Sequence, residues 1–103
     1  MRSRYYGLNS ETIKDQISPH DYYLQEQALD RFKAKSGGWV EAGLCPFHQD
    51  ATAGSFRINL ENGAYRCFSC GAKGGDILSF AMTKYGFSFP EVIQQLAKAW
   101  RVS

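Results

Sequence analysis

Residues 45–70 carry the strongest signal in this chain of 103 residues and read CPFHQDATAGSFRINLENGAYRCFSC. Cys45 and His48 stand at one end and Cys67 and Cys70 at the other, each pair separated by two residues. The two pairs use all three cysteines and one of the two histidines of the chain. Two intervening residues let a turn bring both side chains of a pair onto one ion, and Zn²⁺ takes thiolate sulfur and imidazole nitrogen in a tetrahedron. The spacing therefore predicts one Zn²⁺ ion held by four protein side chains.

A fully occupied tetrahedron has no position for water or substrate, so the predicted ion is structural and not hydrolytic. Zinc binding contributes on the order of 10 to 16 kcal/mol in small zinc peptides, against a net stability of roughly 5 to 15 kcal/mol for a typical domain. We therefore expect metal loss to unfold this region. The alternatives are an iron–sulfur centre, which suits the mixed donor set less well, and three unrelated buried cysteines with a surface histidine. His20 stands apart in a polar segment and is expected to be a solvated histidine.

The residues between and around the two pairs predict short strands. Phe56, Ile58 and Leu60 alternate with polar residues, Asn62-Gly63 is a typical hairpin turn, and residues 64–68 return as a second strand. Residues 39–42 predict a further short strand that runs into the first cysteine. A small antiparallel sheet is therefore expected to carry the predicted metal site.

Three helices are predicted from caps and apolar spacing. Ser18 precedes Pro19 as the cap of a first helix, in which Tyr22, Tyr23, Leu29 and Phe32 could share a face. Asp76 is the expected cap of a second helix, which Gly86 ends, and Ser88 with Glu91 forms a capping box for a third. The apolar stripe of the third helix consists of Val92, Ile93, Leu96, Ala97 and Trp100.

Composition favours one small globular α+β domain. Hydrophobic residues make up 44% and charged residues 21%, and no apolar run is long enough to cross a membrane. The first residues lack the apolar stretch of a secretory signal, so we expect a cytoplasmic protein with reduced cysteines. The net charge of +2 is too small to predict a polyanionic partner by itself. A turn at residues 36–38 divides a predicted N-terminal helical extension, residues 1–36, from a predicted zinc-binding domain, residues 37–103.

Five segments share a pattern with a known family: GLCPFH at 43–48, GSF at 54–56, YRCFSCG at 65–71, GGDI at 74–77 and FSFPE at 87–91. In this order they resemble the N-terminal zinc-binding domain of bacterial and phage DNA primases of the DnaG-like type, over about residues 39–102. The resemblance implies a zinc ribbon on a small antiparallel β-sheet with flanking helices. It also implies a role in engaging the single-stranded DNA template and initiating the RNA primer during DNA replication.

The sequence departs from the large primases in two respects. Residues 1–35 do not follow the opening helix pattern of that family. The pattern of the downstream polymerase domain, whose acidic residues hold magnesium, is absent, and the acidic residues Asp50, Glu61, Asp76 and Glu91 have local roles in turns and caps. We therefore expect no primer synthesis by this chain alone; if it is part of an enzyme, a separate polymerase domain supplies the catalysis.

A nucleic-acid surface is predicted from strand alternation. If Phe56 and Ile58 face the core, Arg57 points outward, and Arg66 and Lys73 extend a small basic patch. Tyr65 or Phe68 is then a candidate to stack on an unpaired base. The alternative is that these residues are ordinary surface cations and core aromatics.

Two further functions stay open at this point. The chain could be an interaction adaptor that docks on a polymerase, helicase or regulator through its N-terminal helix or Trp100. It could also be the non-catalytic subunit of a split primase. No small-molecule substrate and no membrane partner are expected.

Overall fold

Five short strands form one antiparallel sheet in the computed structural model, which describes residues 8–34, 37–49 and 54–103. The strands lie side by side in chain order as a meander. Their bounds are Lys33–Ala34 (β1), Trp39–Glu41 (β2), Phe56–Asn59 (β3), Tyr65–Cys67 (β4) and Lys73–Gly74 (β5). Together with the helices described below, this sheet confirms the predicted α+β class.

The hairpin of β3 and β4 forms where the alternation predicts it. Ile58 pairs with Tyr65 across the two strands, and the side chains of Phe56 and Ile58 are completely buried. Gly63 closes the turn with a φ of +80°, which an L-residue with a side chain rarely adopts. Leu60 is only half-buried, because β3 ends at Asn59.

Four helices follow in the described residues: Ser10–Gln16 (α1), Pro19–Glu26 (α2), Ile77–Tyr85 (α3) and Phe89–Trp100 (α4). The predicted caps are present, because Ser18, Asp76 and Ser88 each accept a hydrogen bond from the backbone N–H three residues later. Gly86 ends α3 in the left-handed region at φ +73°. Within the described part of the chain, no helix is both long and apolar enough for a membrane span.

The N-terminal helices differ from the sequence prediction in two ways. The helix α1 was not predicted from the sequence; it begins after Asn9, whose side chain accepts the N–H of Thr12 at 3.0 Å. The helix α2 is shorter than predicted, because the backbone leaves the helical region at Ala28, where φ is +53°. Leu29 and Phe32 therefore do not share a face with the tyrosines of α2, although both pack against the core from the following segment.

The core is aromatic and lies between the helices and one face of the sheet. Phe80 of α3 is its centre, with ring centroids of Tyr23, Phe47 and Tyr65 at 5.0, 5.3 and 5.3 Å. Ile13 and Ile17 from the N-terminal segment are buried in the same cluster. The described parts of the two predicted segments, 1–36 and 37–103, thus share one core, while residues 35 and 36 at their boundary lie outside the described residues.

A buried hydrogen bond ties α2 to the hairpin. The hydroxyl of Tyr23 donates to the backbone carbonyl of Gly63 at 2.7 Å, across 40 residues of sequence. Tyr23 is fully buried, so this carbonyl has its partner inside the protein. The bond fixes the position of the turn relative to the helices.

Candidate metal centre and nucleic-acid interface

The two metal-type pairs meet at one end of the sheet. Cys45 and His48 lie in the loop that follows β2, while Cys67 ends β4 and Cys70 lies in the next loop. The central strand β3 pairs with both β2 and β4, which holds the two loops side by side. The ligand atoms of all four residues lie within 4.8 Å of one another. The described residues thus bring the predicted ligand set together.

The geometry of this cluster fits a tetrahedral zinc ion. With Zn–S bonds of about 2.3 Å, a tetrahedron has a sulfur–sulfur edge of about 3.8 Å. The Sγ atoms of Cys45 and Cys70 are 3.8 Å apart, and Nδ1 of His48 is 4.0 Å from Sγ of Cys67. Three sulfurs and one imidazole nitrogen are also the donors that zinc prefers over harder cations. The site therefore fits one structural Zn²⁺.

Backbone N–H groups support the sulfur ligands. The N–H of Phe47 donates to Sγ of Cys45 and the N–H of Cys70 donates to Sγ of Cys67, both at 3.4 Å. Such outer hydrogen bonds orient metal ligands and stabilise the thiolate charge. The ring of Phe47 also packs against Tyr65 and Phe80 at centroid distances of 5.4 and 5.3 Å, which anchors the first loop to the core.

The thiols ionise differently in the absence of a metal. Burial raises the pKa of Cys45 to about 12. Burial also opposes ionisation of Cys67, but hydrogen bonds from the N–H groups of Cys70 and Ser69, together with those from the thiols of Cys70 and Cys45, outweigh it and lower the pKa of Cys67. Since zinc binds thiolates, Cys45 must release its proton when the ion binds at neutral pH.

The predicted basic residues form a row across the other face of the sheet. Arg57 of β3 stands opposite Arg66 of β4, and Arg66 stands opposite Lys73 of β5. Arg66 and Lys73 are exposed and Arg57 is half-buried. Glu41 of β2 is the neighbour of Arg57 on the other side. We call Arg57, Arg66 and Lys73 the cation row.

Phe68 lies over this row, directly beside the metal ligand Cys67. Phe68 is 57% exposed. The guanidinium carbons of Arg57 and Arg66 are 4.8 and 4.9 Å from the centre of its ring. Both arginines thus make cation–π contacts with the same ring. The structure therefore brings Phe68 together with two of the three predicted cations.

Tyr65 does not join this surface. Its side chain is 2% exposed and points to the helical face of the sheet, where its ring packs against Phe80. A base could reach this ring only by displacing the core, so its burial argues against the stacking role that the sequence analysis considered. The cause is the alternation of β4, which places Tyr65 and Arg66 on opposite faces.

Trp39 is a candidate that the sequence analysis missed. It is half-buried on β2 and lines a shallow depression of about 440 Å³ together with Arg66 and Lys73. The signal was present, since Trp39 and Glu41 must point away from the face on which Val40 is buried. The alternation that places Arg57 of β3 on the outer face also places Trp39 of β2 there.

The remaining candidates have local contacts. His20 lies 3.1 Å from Asp21 and packs edge-on against Phe32, and it is not part of the metal cluster found among the described residues. Trp100 is half-buried, and its ring centroid is 6.1 Å from that of Tyr22. Asp50 lies outside the described residues.

Comparisons with known proteins agree with this geometry. The family model of the CHC2 zinc finger, a zinc ribbon of the DnaG type, matches residues 13–103. A DNA primase of Neisseria meningitidis is 46% identical over 63 residues, which are 61% of this chain and 10% of that protein. A DNA primase of Pseudomonas putida is 38% identical over 87 residues, which are 84% of this chain and 13% of that protein.

A solved structure of the Aquifex aeolicus primase, containing its zinc-binding and RNA polymerase domains, matches with a TM-score of 0.65 and 27% identity. The match covers 90% of this chain and 21% of that chain. The chain spans 10% to 14% of the length of the curated relatives it matches. Because the family model covers most of the chain and its four donor residues meet in one cluster, the chain belongs to the CHC2 zinc-finger family, the zinc ribbon of DnaG-type DNA primases.

Proposed function

We propose that this zinc module binds single-stranded DNA through the cation row and Phe68, as the template-engaging part of a DNA primase. The observation that carries the proposal is the alignment of Arg57, Arg66 and Lys73 in register on one sheet face, with both guanidinium groups in contact with the ring of Phe68. Phosphates are bound by arginine and lysine, and unpaired bases stack on exposed aromatic rings. The two features lie side by side here.

The spacing of the cation row suits a polyanion. Directly opposed residues on neighbouring strands stand about 5 Å apart, so the row spans roughly 10 Å. Like charges placed directly opposite each other weaken a sheet in the absence of a ligand. A phosphate backbone laid across the strands would neutralise this repulsion. Binding should therefore also stabilise the fold.

The metal has an indirect role in this function. When bound, zinc supplies a fixed cross-link between the two loops and no reactive position. Cys67 is followed directly by Phe68 and preceded by Arg66, so a fixed ligand also fixes both neighbours. The metal cluster thus positions the aromatic ring over the cation row.

The proposal is tested by the salt dependence of DNA binding. The slope of log K against log[salt] is about −0.7 for each phosphate neutralised on single strands, so three contacts give a slope of about −2. The double variant Arg57→Gln/Arg66→Gln should bind more weakly and show a slope of about −0.7. The measurement is fluorescence anisotropy with a labelled oligodeoxynucleotide of about a dozen residues.

The matched control removes two exposed charges from the end of α4, Lys98→Gln/Arg101→Gln. It has the same net charge as the first variant and should keep the wild-type slope. Absence of binding by the wild-type protein at low salt would contradict DNA binding altogether. Equal weakening in the two double variants would contradict the assignment to the cation row.

Catalysis, on this proposal, is supplied by a polymerase domain outside the 103 residues. Primer synthesis should then require that domain together with the zinc module, whether the two lie in one chain or in two. The test mixes this chain with the polymerase domain of a related primase and measures primer formation. Primer formation by this chain alone would contradict the division of roles.

A role as a protein-interaction adaptor is favoured by a different surface. Tyr85 at the end of α3 and Phe89 at the start of α4 are each 50% exposed, and the ring of Phe87 stacks on Tyr85. If the adaptor role dominates, Tyr85→Ala/Phe89→Ala will abolish capture of a replicative helicase or polymerase domain, and DNA will not be retained. If DNA binding dominates, the same variant will keep wild-type affinity for the oligonucleotide.

A further inference from the structure

A shallow depression adjoins Arg66 and Lys73 of the cation row, and Phe68 is not among its lining residues. Its volume is about 440 Å³, within the range of roughly 300 to 1,000 Å³ that small-ligand sites occupy. It is lined by Trp39, Ala64, Tyr65, Arg66, Lys73 and Gly74. Two members of the cation row, Arg66 and Lys73, thus also line this depression.

The register of the sheet explains why space is left here. Trp39 pairs with Asn59 of β3, and the N–H of Asn59 donates to the carbonyl of Ala64 at 2.8 Å, so the three residues lie in one line across the sheet. The methyl group of Ala64 fills little volume at the end of this line. The next strand contributes the backbone of Gly74; a Cβ at this position would point to the opposite, helical face, towards Tyr65 and Ser79, so position 74 places no side chain on the outer face. The surface beside the indole of Trp39 therefore consists of the methyl group of Ala64 and the backbone of Gly74, which leaves the depression open.

We propose that this depression receives one unpaired base of the bound strand, stacked on Trp39, while Lys73 and Arg66 hold the adjoining phosphates. The inference rests on the proposed single-stranded DNA binding and adds a second aromatic platform to it. Trp39 then lies to one side of the cation row, while the ring of Phe68 lies over Arg57 and Arg66. A strand that crosses the row can stack one base on each of these two rings.

The chemistry of the lining predicts tolerance of base identity. Trp39, Ala64 and Gly74 offer flat apolar contact, and the lining residues contribute no side-chain amide or carboxylate. The guanidinium group of Arg66 is held over Phe68 instead of pointing into the depression. Stacking without hydrogen-bonded readout accepts every base, because each has a π-face.

The test uses Trp39 as its own reporter. The chain has two tryptophans, so in the variant Trp100→Phe all tryptophan emission comes from Trp39. We expect saturable quenching of this emission when an unlabelled oligodeoxynucleotide of about a dozen residues is added. The variant Trp39→Ala should lose about fivefold to a hundredfold in affinity, and Trp39→Phe should keep most of it. Phe89→Ala, which removes an exposed ring from α4, is the control and should bind like the wild type.

A second arm asks whether the lost contact is a base. A strand with abasic positions throughout should bind the wild type and Trp39→Ala with equal affinity, because such a strand has no base that could stack on Trp39 in the depression. Zinc content and the far-ultraviolet spectrum of each variant establish that the fold is kept.

The outcomes separate this inference from the function on which it rests. If Trp39→Ala binds like the wild type while Arg57→Gln/Arg66→Gln is weakened, the depression is not a base site and DNA binding stands. If the wild type does not bind, both fail. If Trp39→Ala weakens abasic and normal strands equally, the indole does not act by stacking and the inference is overturned.

Discussion

Replacement of one buried sulfur ligand, Cys67→Ser, should remove the stabilisation that zinc gives to this fold. The cross-link closes the segment 45–70, roughly 25 residues, and the loop-closure relation assigns about 3.5 kcal/mol to a constraint of that length. This is the contribution of chain entropy alone, and zinc–ligand bonding adds to it, up to the ~10 to 16 kcal/mol measured for zinc peptides. Because a typical domain has only about 5 to 15 kcal/mol of net stability, little should be left without the ion.

The assay is urea unfolding followed by circular dichroism, with saturating zinc and with a chelator. For the wild type, the free energy of unfolding should fall by at least about 3.5 kcal/mol on chelation. For Cys67→Ser, the two measurements should nearly coincide, since a serine hydroxyl does not replace the thiolate. The difference between the two conditions separates the metal contribution from the cost of burying a hydroxyl at a position that is 1% exposed.

Ser69→Ala serves as the control in the same loop, because Ser69 supplies a backbone N–H and no ligand atom. It should keep the full dependence of stability on zinc. Native mass measurement should find one zinc in the control and less than one in Cys67→Ser. If Cys67→Ser retains one zinc equivalent and its free energy of unfolding lies within about 1 kcal/mol of the wild-type value, the reasoning about the metal centre is wrong.

Two other predictions concern protons and the hairpin turn. Since burial raises the pKa of Cys45 to about 12, this thiol is protonated at neutral pH without metal and loses its proton on zinc binding. The apparent zinc affinity should therefore rise by at least about tenfold per pH unit between about pH 6 and 8, measured by competition with a chromophoric chelator, and an affinity independent of pH would contradict this. Gly63→Ala should destabilise the fold by about 1–3 kcal/mol more than Gly86→Ala, because both have positive φ but only at Gly63 would a Cβ press on Ile77, at 3.1 Å. Equal costs in thermal unfolding would show that the close approach at the turn does not matter.

Local signals predicted much of the fold. The caps at Ser18, Asp76 and Ser88 are each a property of a few neighbouring residues, and all three were readable because the hydrogen bonds they make are local. The metal cluster was also predictable, since the donor types and the two-residue spacing are dictated by the ion. These features do not depend on how the rest of the chain packs.

The predictions failed for the N-terminal helices, whose extent depends on tertiary packing. The end of α2 at Glu26 was not predictable, because Leu29 and Phe32 continue the apolar spacing of a helix. In the structure both residues pack against the core from the segment that follows α2, which depends on the tertiary fold. The short helix α1 has little apolar pattern of its own, and Ile13 is its one buried residue.

The assignment of aromatic residues to the core or to the surface required the strand phase. Tyr65 and Phe68 are three residues apart in the same return segment, yet one is 2% and the other 57% exposed. Phe68 follows the end of β4, where alternation no longer applies, and the metal loop turns it over the cation row. The sequence therefore indicates both rings as candidates to stack on a base, but it does not show which of the two is exposed.

The bond from the Tyr23 hydroxyl to the Gly63 carbonyl bears on what counts as the smallest unit that folds alone. A fragment limited to residues 37–103 would leave this carbonyl without its partner and strip the aromatic cluster of two tyrosines. Such a piece would still contain every metal ligand, yet it would expose Phe80 to water. Cooperative melting should therefore belong to the helices and the ribbon together, and the ion should protect the amide hydrogens of α2 from exchange as well as those of the hairpin.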